Sequence, residues 1–472
     1  PEKCHEVVID NPRRIADMVE PLRLFPKHPK DEDTFQPLWE DAADNIQNMT
    51  WSMAKELYGD PLPDIVLKRL EKDPQVDEWV TNGLSYYHTI AEDTLQKVKG
   101  RDIVALNYRA EKSWNFTVGV SDYQLYFGQL HSHTTYSDGS GSLDTALDYI
   151  ASISEEDNVQ FVAFTDHSNY FDTTSAANPA DALNDQELMT EASRELWNEY
   201  KGKVASFNET HEDLIAIAGF EMTWSGGPGH INTFNTPGIV SRNNSTLNNK
   251  TNDAGMKAYY ALLDNENLVD ALSQFNHPGK TFGNFTDFSY WDAVTDSRIY
   301  LVEVGNGEGQ IGAGGYYPSY EQYIMALDKG WHVAPTNNQD NHKGRWGNAN
   351  DARDVIYTDD FSEQGIYEAI RNYRIYATED KNLELYYTLN DNIMGTIIPE
   401  DEDNPISAVD IYVSVNDPDG EVIGKVAVIV NGGITAYATE VTGSSAVLEF
   451  SLPNDYSYYF IRVEEADGDI AV

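Results

Sequence analysis

Cysteine is almost missing. Cys4 stands alone among 472 residues, so no disulfide can close within the chain and no thiolate metal cluster can form. Cations are scarce too: 32 Lys and Arg face 78 Asp and Glu, a formal charge of −46. A field of that sign repels polyanions at long range and disfavours nucleic acid as a main partner. It leaves small anions admissible, because a bound metal supplies its own local positive charge. No apolar run approaches the length of a membrane span, and 40% hydrophobic residues at a mean hydropathy of −0.51 read as a globular, water-exposed chain. Internal repeats and low-complexity tracts are absent. The first residue is Pro1 rather than Met, which is expected of a processed or trimmed product, with signal-peptide removal as one route. Strong acidity with almost no cysteine suits an exported bacterial protein, secreted or at the cell surface.

What is present changes character along the chain, and the length is enough for two or three domains. Residues 1–118 read as an extended, Pro-rich lead-in followed by helices. Leu38, Ala42, Ile46 and Met49 recur at threes and fours, and Gly59-Asp60-Pro61 and Lys72-Asp73-Pro74 punctuate the pattern. His88 has no companion ligand nearby and is expected to be structural. From 119 to 382, strand-like runs alternate with helices. Helices are expected over 143–154, 182–200, 258–263 and 268–273. Strands are expected at VQFVAFT, LIAIAGF, RIYLVEV and HVAPT, at Gln274–Asn276 and at Asp354–Tyr357. Such alternation implies a parallel sheet, and this many units in a row imply a barrel. From Leu383 to Val472 six alternating strands separated by turns such as Asp417-Pro418-Asp419-Gly420 read as a separate antiparallel sandwich. That sandwich is expected to be immunoglobulin-like and cut short at Val472. Asp401–Asn404 reads as a solvated acidic loop.

Polar clusters fall where the barrel-like strands stop. YFGQLHSHTTYSDG brings His131 and His133 to one side of a strand, since residues two apart share a face. Asp138 follows on the turn. The next strands run into Asp166-His167, Glu221 with His230 downstream, Asn276-His277, Asn306, and Asp340-Asn341-His342. In barrels the carboxyl ends of the strands converge on one mouth, where catalytic groups sit. Any one of these histidines could be a satisfied core residue, but their joint placement points to a metal centre.

In these segments the chain resembles the polymerase-and-histidinol-phosphatase (PHP) metallohydrolases, over roughly Tyr123–Asp380. HSHTTYSDG, TDH, GFE with GHIN, NHPG and QDNH match the family's motifs in order. The longer strings GHINTFNTPG, VEVGNGEG and GWHVAPTNNQDNHKGRWG look like its CehA/McbA-like branch. The resemblance implies a distorted (β/α)7 barrel and two or three divalent ions, zinc, manganese or iron. It implies as ligands His131, His133, Asp138, His167, Glu221, His230, His277, Asp340 and His342. Some trinuclear members carry a histidine where this chain has Gly139, which weakens the expectation of a third ion. Glu221 is expected to bridge two ions. Asp138 and His230 are expected to serve catalysis as well. Lys343 and Arg345 are expected to act at the reaction centre and clamp a substrate anion, with Asn276 and Asn306 also touching substrate.

The leading expectation is a phosphoesterase acting on a small anionic substrate through a metal-activated water. Hydrolysis of a carbamate, amide or carboxyl ester is the alternative, because the same chemistry attacks a carbonyl. A third reading is non-catalytic, with metal kept for stability and the sandwich docking a cell-surface partner. A complete ligand set argues against it.

Overall fold

The computed structural model describes residues 123–399 and 406–472. The segments expected in residues 1–118 and the Asp401–Asn404 loop lie outside them. Residues 121–472 make one compact unit, so the boundary expected between 382 and 383 falls inside it.

Its strands in chain order are β1 (Gln124–Gln129), β2 (Phe161–Phe164), β3 (Ile215–Thr223), β4 (His230–Phe234), β5 (Leu272–Asn276), β6 (Ile299–Asn306), β7 (Tyr317–Pro318), β8 (Ala334–Asn338), β9 (Arg353–Thr358) and β10 (Ile375–Thr378). The central sheet runs β10-β9-β1-β2-β3-β4-β5-β6, with β8 also on β6. β2 is FVAF, buried throughout. That continuous apolar run is what a strand covered on both faces requires. Pairs β1–β2, β2–β3, β5–β6 and β6–β8 are parallel, whereas β4 runs antiparallel to both β3 and β5. The sheet is therefore mixed, not purely parallel. It curls until Ser132, just past β1, pairs in parallel with Asn341, just past β8. Side chains carry much of that seam: Leu130 N–H donates to Asn338 Oδ1 at 2.6 Å, and Gln339 N–H donates to Gln129 Oε1 at 2.7 Å.

Helices α1 (Leu143–Ile153), α2 (Glu191–Asn208), α3 (Ala254–Leu263), α4 (Tyr320–Asp328) and α5 (Glu363–Arg371) surround the sheet. Ser142 starts α1 by accepting the Thr145 N–H, and the buried Leu143, Ala146, Leu147 and Ile150 form one apolar stripe. α5 lies at the end away from the polar clusters. Its Ile366 and Ile370 share a core with Phe161 and Leu272, and Arg371 donates to the Asp270 carbonyl just before β5. The helix expected over 268–273 is absent. A short 3₁₀ turn at Glu266–Leu268 leads into β5 instead. A short, fully buried apolar run does not distinguish helix from strand by periodicity.

The C-terminal strands are β11 (Glu384–Leu389), β12 (Asn392–Ile393), β13 (Ala408–Asn416), β14 (Gly424–Val430), β15 (Ile434–Val441), β16 (Ser445–Pro453), β17 (Tyr459–Glu464) and β18 (Ile470–Ala471). They form two layers, as alternating patterning implies, but the layers do not stand apart. β12-β11-β13-β16 is a sheet of its own, while β15-β14-β17-β18 continues the central sheet through the Thr378–Ala471 pair. One core holds Val413 and Val415, Val426 and Val428, and also Phe127, Val355 and Tyr376 of β1, β9 and β10. That shared apolar core packs the C-terminal layers against the central sheet.

Candidate metal centre

All nine expected ligands gather at one end of the curled sheet, in four overlapping groups. His131 and His133 meet Glu221; His131 and His277 meet Asp340; Glu221 meets His230 and His277; and His133 meets Asp138, His167 and His342. Each group's donor atoms lie within 4.8 Å of one another. Chain direction explains the convergence. The carboxyl ends of β1, β2, β3, β5 and β8 deliver most of the set, and His230 arrives at the amino end of β4 because that strand is reversed.

His131 and His133 are fully buried, with their Nε2 atoms 3.2 Å apart. His131 Nδ1 lies 2.9 Å from Glu303 Oε1, an arrangement in which Nδ1 donates to that carboxylate and Nε2 faces the cluster. A carboxylate behind an imidazole in this way is the usual support of a metal-ligating histidine. Asp340 Oδ1 stands 3.3 Å and 3.0 Å from those two Nε2 atoms, yet it makes no aligned hydrogen bond, and neither does buried His277 Nδ1. Glu221 is fully buried, 3.1 Å from His230 Nδ1, 3.3 Å from His277 Nε2 and 2.5 Å from His167 Nδ1. Asp138 Oδ1 is 3.4 Å from Nε2 of both His167 and His342. His277 and Asp340 have φ of +29° and +46°, backbone strain located at two of the donors.

Burial works against charge on Glu221, but His230 and His167 hold its carboxyl well below the usual carboxylate range. Burial likewise opposes charge on Asp340, and His131 and His133 outweigh it. His131 is disfavoured by burial yet pushed up to about 10 by Asp340, Glu303 and Glu221, while burial and the neighbouring His167 bring His133 down to about 4. The His342 ring, with Nε2 3.4 Å from the carboxylate, holds Asp138 at about 2. Among the described residues no Lys or Arg ion-pairs with Asp138, Glu221 or Asp340; only imidazoles do. Clustered carboxylates and closely spaced imidazole nitrogens fit divalent metal, and imidazole with carboxylate and no thiolate suits zinc, manganese or iron(II).

Four expected residues take other parts. Asn276 is fully buried and donates to Glu221 Oε1 at 2.9 Å and Asn232 Oδ1 at 2.8 Å. Asn306 donates to Glu303 Oε2 at 2.9 Å. Both are buried and brace carboxylates. Lys343 pairs with Glu308 at 2.6 Å, and the Arg345 guanidinium donates to the Asn348 carbonyl at 2.7 Å. Neither cation pairs with a donor of the cluster: Lys343 turns to Glu308 in the connection after β6, and Arg345 to a carbonyl of its own segment.

Sequence reasoning noted Asp166 without giving it a part, and passed over Glu303 and Phe282. Glu303 is fully buried and accepts from His131, Gln274, His277 N–H and Asn306. Its signal was present, a charge inside an apolar run, since glutamate is almost never fully buried unless paired. Asp166 accepts from Thr134 and Ser137 and so fixes the turn after His133. Phe282 is 40% exposed with its ring 4.6 Å from His277 and 5.4 Å from His230. Nothing in a loop sequence announces such a placement.

No family model matches the chain. A 96-residue stretch is 40% identical to PolC-type DNA polymerase III of Thermotoga maritima and 38% identical to that of Clostridium perfringens. The match takes in 20% of this chain and only 6% of each polymerase. Among solved structures, a two-domain protein from Bacteroides vulgatus containing a predicted PHP-like metal-dependent phosphoesterase aligns at a TM-score of 0.36 and 15% identity, covering 72% of this chain and 90% of that one. The lesion-specific endonuclease PfuEndoQ from Pyrococcus furiosus aligns at 0.30 and 14% identity, covering 52% and 56%. The sequence match bears out the resemblance to the PHP domain carried by the motifs.

Proposed function

We propose that this PHP-type chain is a metal-dependent hydrolase, and that it is a phosphoesterase. The observation that carries the reading is the convergence of nine imidazole and carboxylate donors in overlapping groups that share His131, His133 and Glu221. The curled sheet supports the distorted seven-stranded barrel that the motifs imply, formed by β1–β6 and β8. His131, His133, Glu221 and Asp340 would hold one ion, with Glu221 shared towards His230 and His277. Asp138, His167 and His342 offer a third position. Ions held there acidify a coordinated water and draw charge from a phosphoryl or carbonyl oxygen.

The chain's own residues prepare that chemistry. Glu303 fixes the His131 ring and, through the His277 N–H, the backbone beside a second donor. Asn276 orients Glu221. In this reading Asp138, on the more open side, and His230 take or give the proton. Phe282 offers a planar apolar surface for a substrate's leaving group. The exported setting belongs to this reading, on the strength of the acidity and the lone cysteine.

Chromogenic phosphomonoester, phosphodiester and carboxyl-ester substrates, run with manganese or zinc and again after chelation, test it. Turnover of a phosphoester that chelation abolishes and metal restores is expected. Turnover confined to the carboxyl ester would transfer the reading to the carbonyl hydrolase. Metal uptake without turnover of any class would favour the non-catalytic one.

A further inference from the structure

At the seam between the central sheet and the C-terminal layers lies a second cluster, chemically unlike the first. Asp380, Asp417, Glu421 and Glu465 bring four carboxylates together with oxygens within 4.8 Å of one another and no imidazole among them. They come from three separate connections: Asp380 just after β10, Asp417 and Glu421 in the turn between β13 and β14, and Glu465 just after β17. Acidic side chains gather on many surfaces without purpose, and burial separates this group from those. Glu465 is 3% exposed and Asp417 is 2% exposed. Among the described residues both Glu465 oxygens and Asp417 Oδ2 have no hydrogen-bond partner. Leaving a buried carboxylate unpaired costs several kcal/mol in general, so these oxygens are met either by a proton or by a cation.

The remaining oxygens are committed in a way that aims the free ones. Asp380 Oδ1 accepts the N–H groups of Asn382 and Leu383, both at 2.7 Å. Asp417 Oδ1 accepts those of Gly420 and Glu421 at 2.6 Å and 2.9 Å. Each aspartate is thus locked by one oxygen and presents the other. Nearby cations do not fill the role. Lys381 points its Nζ towards Asp419, 4.0 Å away, and Arg353 gives its terminal nitrogens to the carbonyls of Asn350, Ala352 and Asp157. Burial, followed by the charges of Asp380 and Asp417, pushes Glu465 up to about 8.

We infer that Asp380, Asp417, Glu421 and Glu465 form a calcium site that fastens the C-terminal layers to the central sheet. An all-oxygen, carboxylate-rich donor set suits a hard cation, and calcium takes such ligands at about 2.3–2.6 Å in flexible geometry. Opposed ligands around it then stand at most about 5 Å apart, which the observed spacing meets. The position gives the ion a task. Beside it strands β10 and β18 meet over a short stretch, Ala377–Glu379 against Ile470–Val472, and an ion held from three connections would tie β10, β14 and β17 at that point.

The test uses the full chain with its imidazole-rich centre saturated with manganese, titrated with calcium chloride by calorimetry and by thermal melting. One equivalent of calcium should bind, with a rise in Tm of several degrees. Glu465→Gln and Glu421→Gln should each lose at least tenfold in calcium affinity. Exposed Glu421 serves even where the buried substitution disturbs folding. His131→Ala should keep the calcium response in full. In chelator, Glu465→Gln should melt no lower than the parent, because it removes a buried like charge. Absence of a calcium response in the parent, an unchanged response in both Glu variants, or loss of the response in His131→Ala would each overturn the site.

Discussion

At the scale of the residue, the cluster depends on groups that never face substrate. Glu303 is the clearest, with Oε1 taking His131 and Gln274 and Oε2 taking the His277 N–H and Asn306. Glu303→Gln keeps the shape but turns an amide N–H₂ towards donors, so His131 loses its carboxylate support. Removing such a partner typically lowers metal affinity by about 10–100-fold. Chelator competition should read that loss while the far-ultraviolet spectrum stays native, and an unchanged affinity would free Glu303 of the role. His332 offers a separate pH test, away from the donors. Its Nδ1 hydrogen-bonds Asp296 Oδ2 at 2.6 Å, and that bond raises its pKa above the ordinary 6.5. The folded chain then holds the proton more tightly than the unfolded one. The stabilisation is complete below about pH 6.5 and fades as pH rises through the folded value. The Tm gap between parent and His332→Gln should be widest near pH 5.5 and shrink in alkaline buffer. A gap that widens with pH would contradict the pairing. The half-exposed ring keeps the effect modest.

At the scale of the element, β1 has to lie close against β2 for its two histidines to reach the centre. Gly128 allows it, since a Cβ there would stand 2.2 Å from the Phe161 carbonyl oxygen and 2.5 Å from its ring. Gly128→Ala should therefore part the strands, lower Tm by several degrees and weaken metal binding together. Gly202, exposed in α2 with nothing within 4 Å of its Cβ position, is the control. Gly202→Ala should gain about 0.5–1 kcal/mol by helix propensity, with metal affinity untouched. If both variants melt alike, close strand approach is not what Gly128 provides. Elements of this kind were legible where local pattern suffices. VQFVAFT reads as a covered strand and residues 143–154 as a helix. HINTF did not read as a strand, because the buried Asn232 and Thr233, which bond Asn276 on one face and Tyr259 on the other, look like loop residues when their partners are unknown. The motif histidines were legible because chemistry restricts what they can be. The engagements of Lys343 with Glu308 and of Arg345 with Asn348 depend on where one turn points its side chains, and no spacing encodes that. The Thr378–Ala471 pair joins residues far apart in the chain, beyond any local signal.

At the scale of the whole molecule, the charge of −46 opposes the arrival of the anion that the phosphoesterase reading requires. Two fields compete at the mouth. The surface field is long-ranged and repulsive, and salt screens it over about 30 Å at 0.01 M and about 10 Å at 0.1 M. The field of ions bound at the centre is attractive, short-ranged and only weakly screened, because Glu221 and the His131–His133 pair lie buried. Raising ionic strength from about 0.01 to 0.15 M should therefore remove repulsion faster than attraction. With a phosphomonoester dianion, kcat/KM should rise by about threefold to tenfold over that range. A neutral carboxyl ester of the same alcohol should show a flat profile. Salt also relieves self-repulsion within the fold, so rates belong at a temperature far below the melting transition, where the folded fraction is constant. The expected rise should appear in KM rather than kcat, because screening acts on encounter and leaves the bound geometry alone. A kcat/KM that falls with salt would mean that exposed cations at the mouth govern approach. Lys343 and Arg345 would then return as substrate contacts, having left Glu308 and the Asn348 carbonyl when substrate arrives.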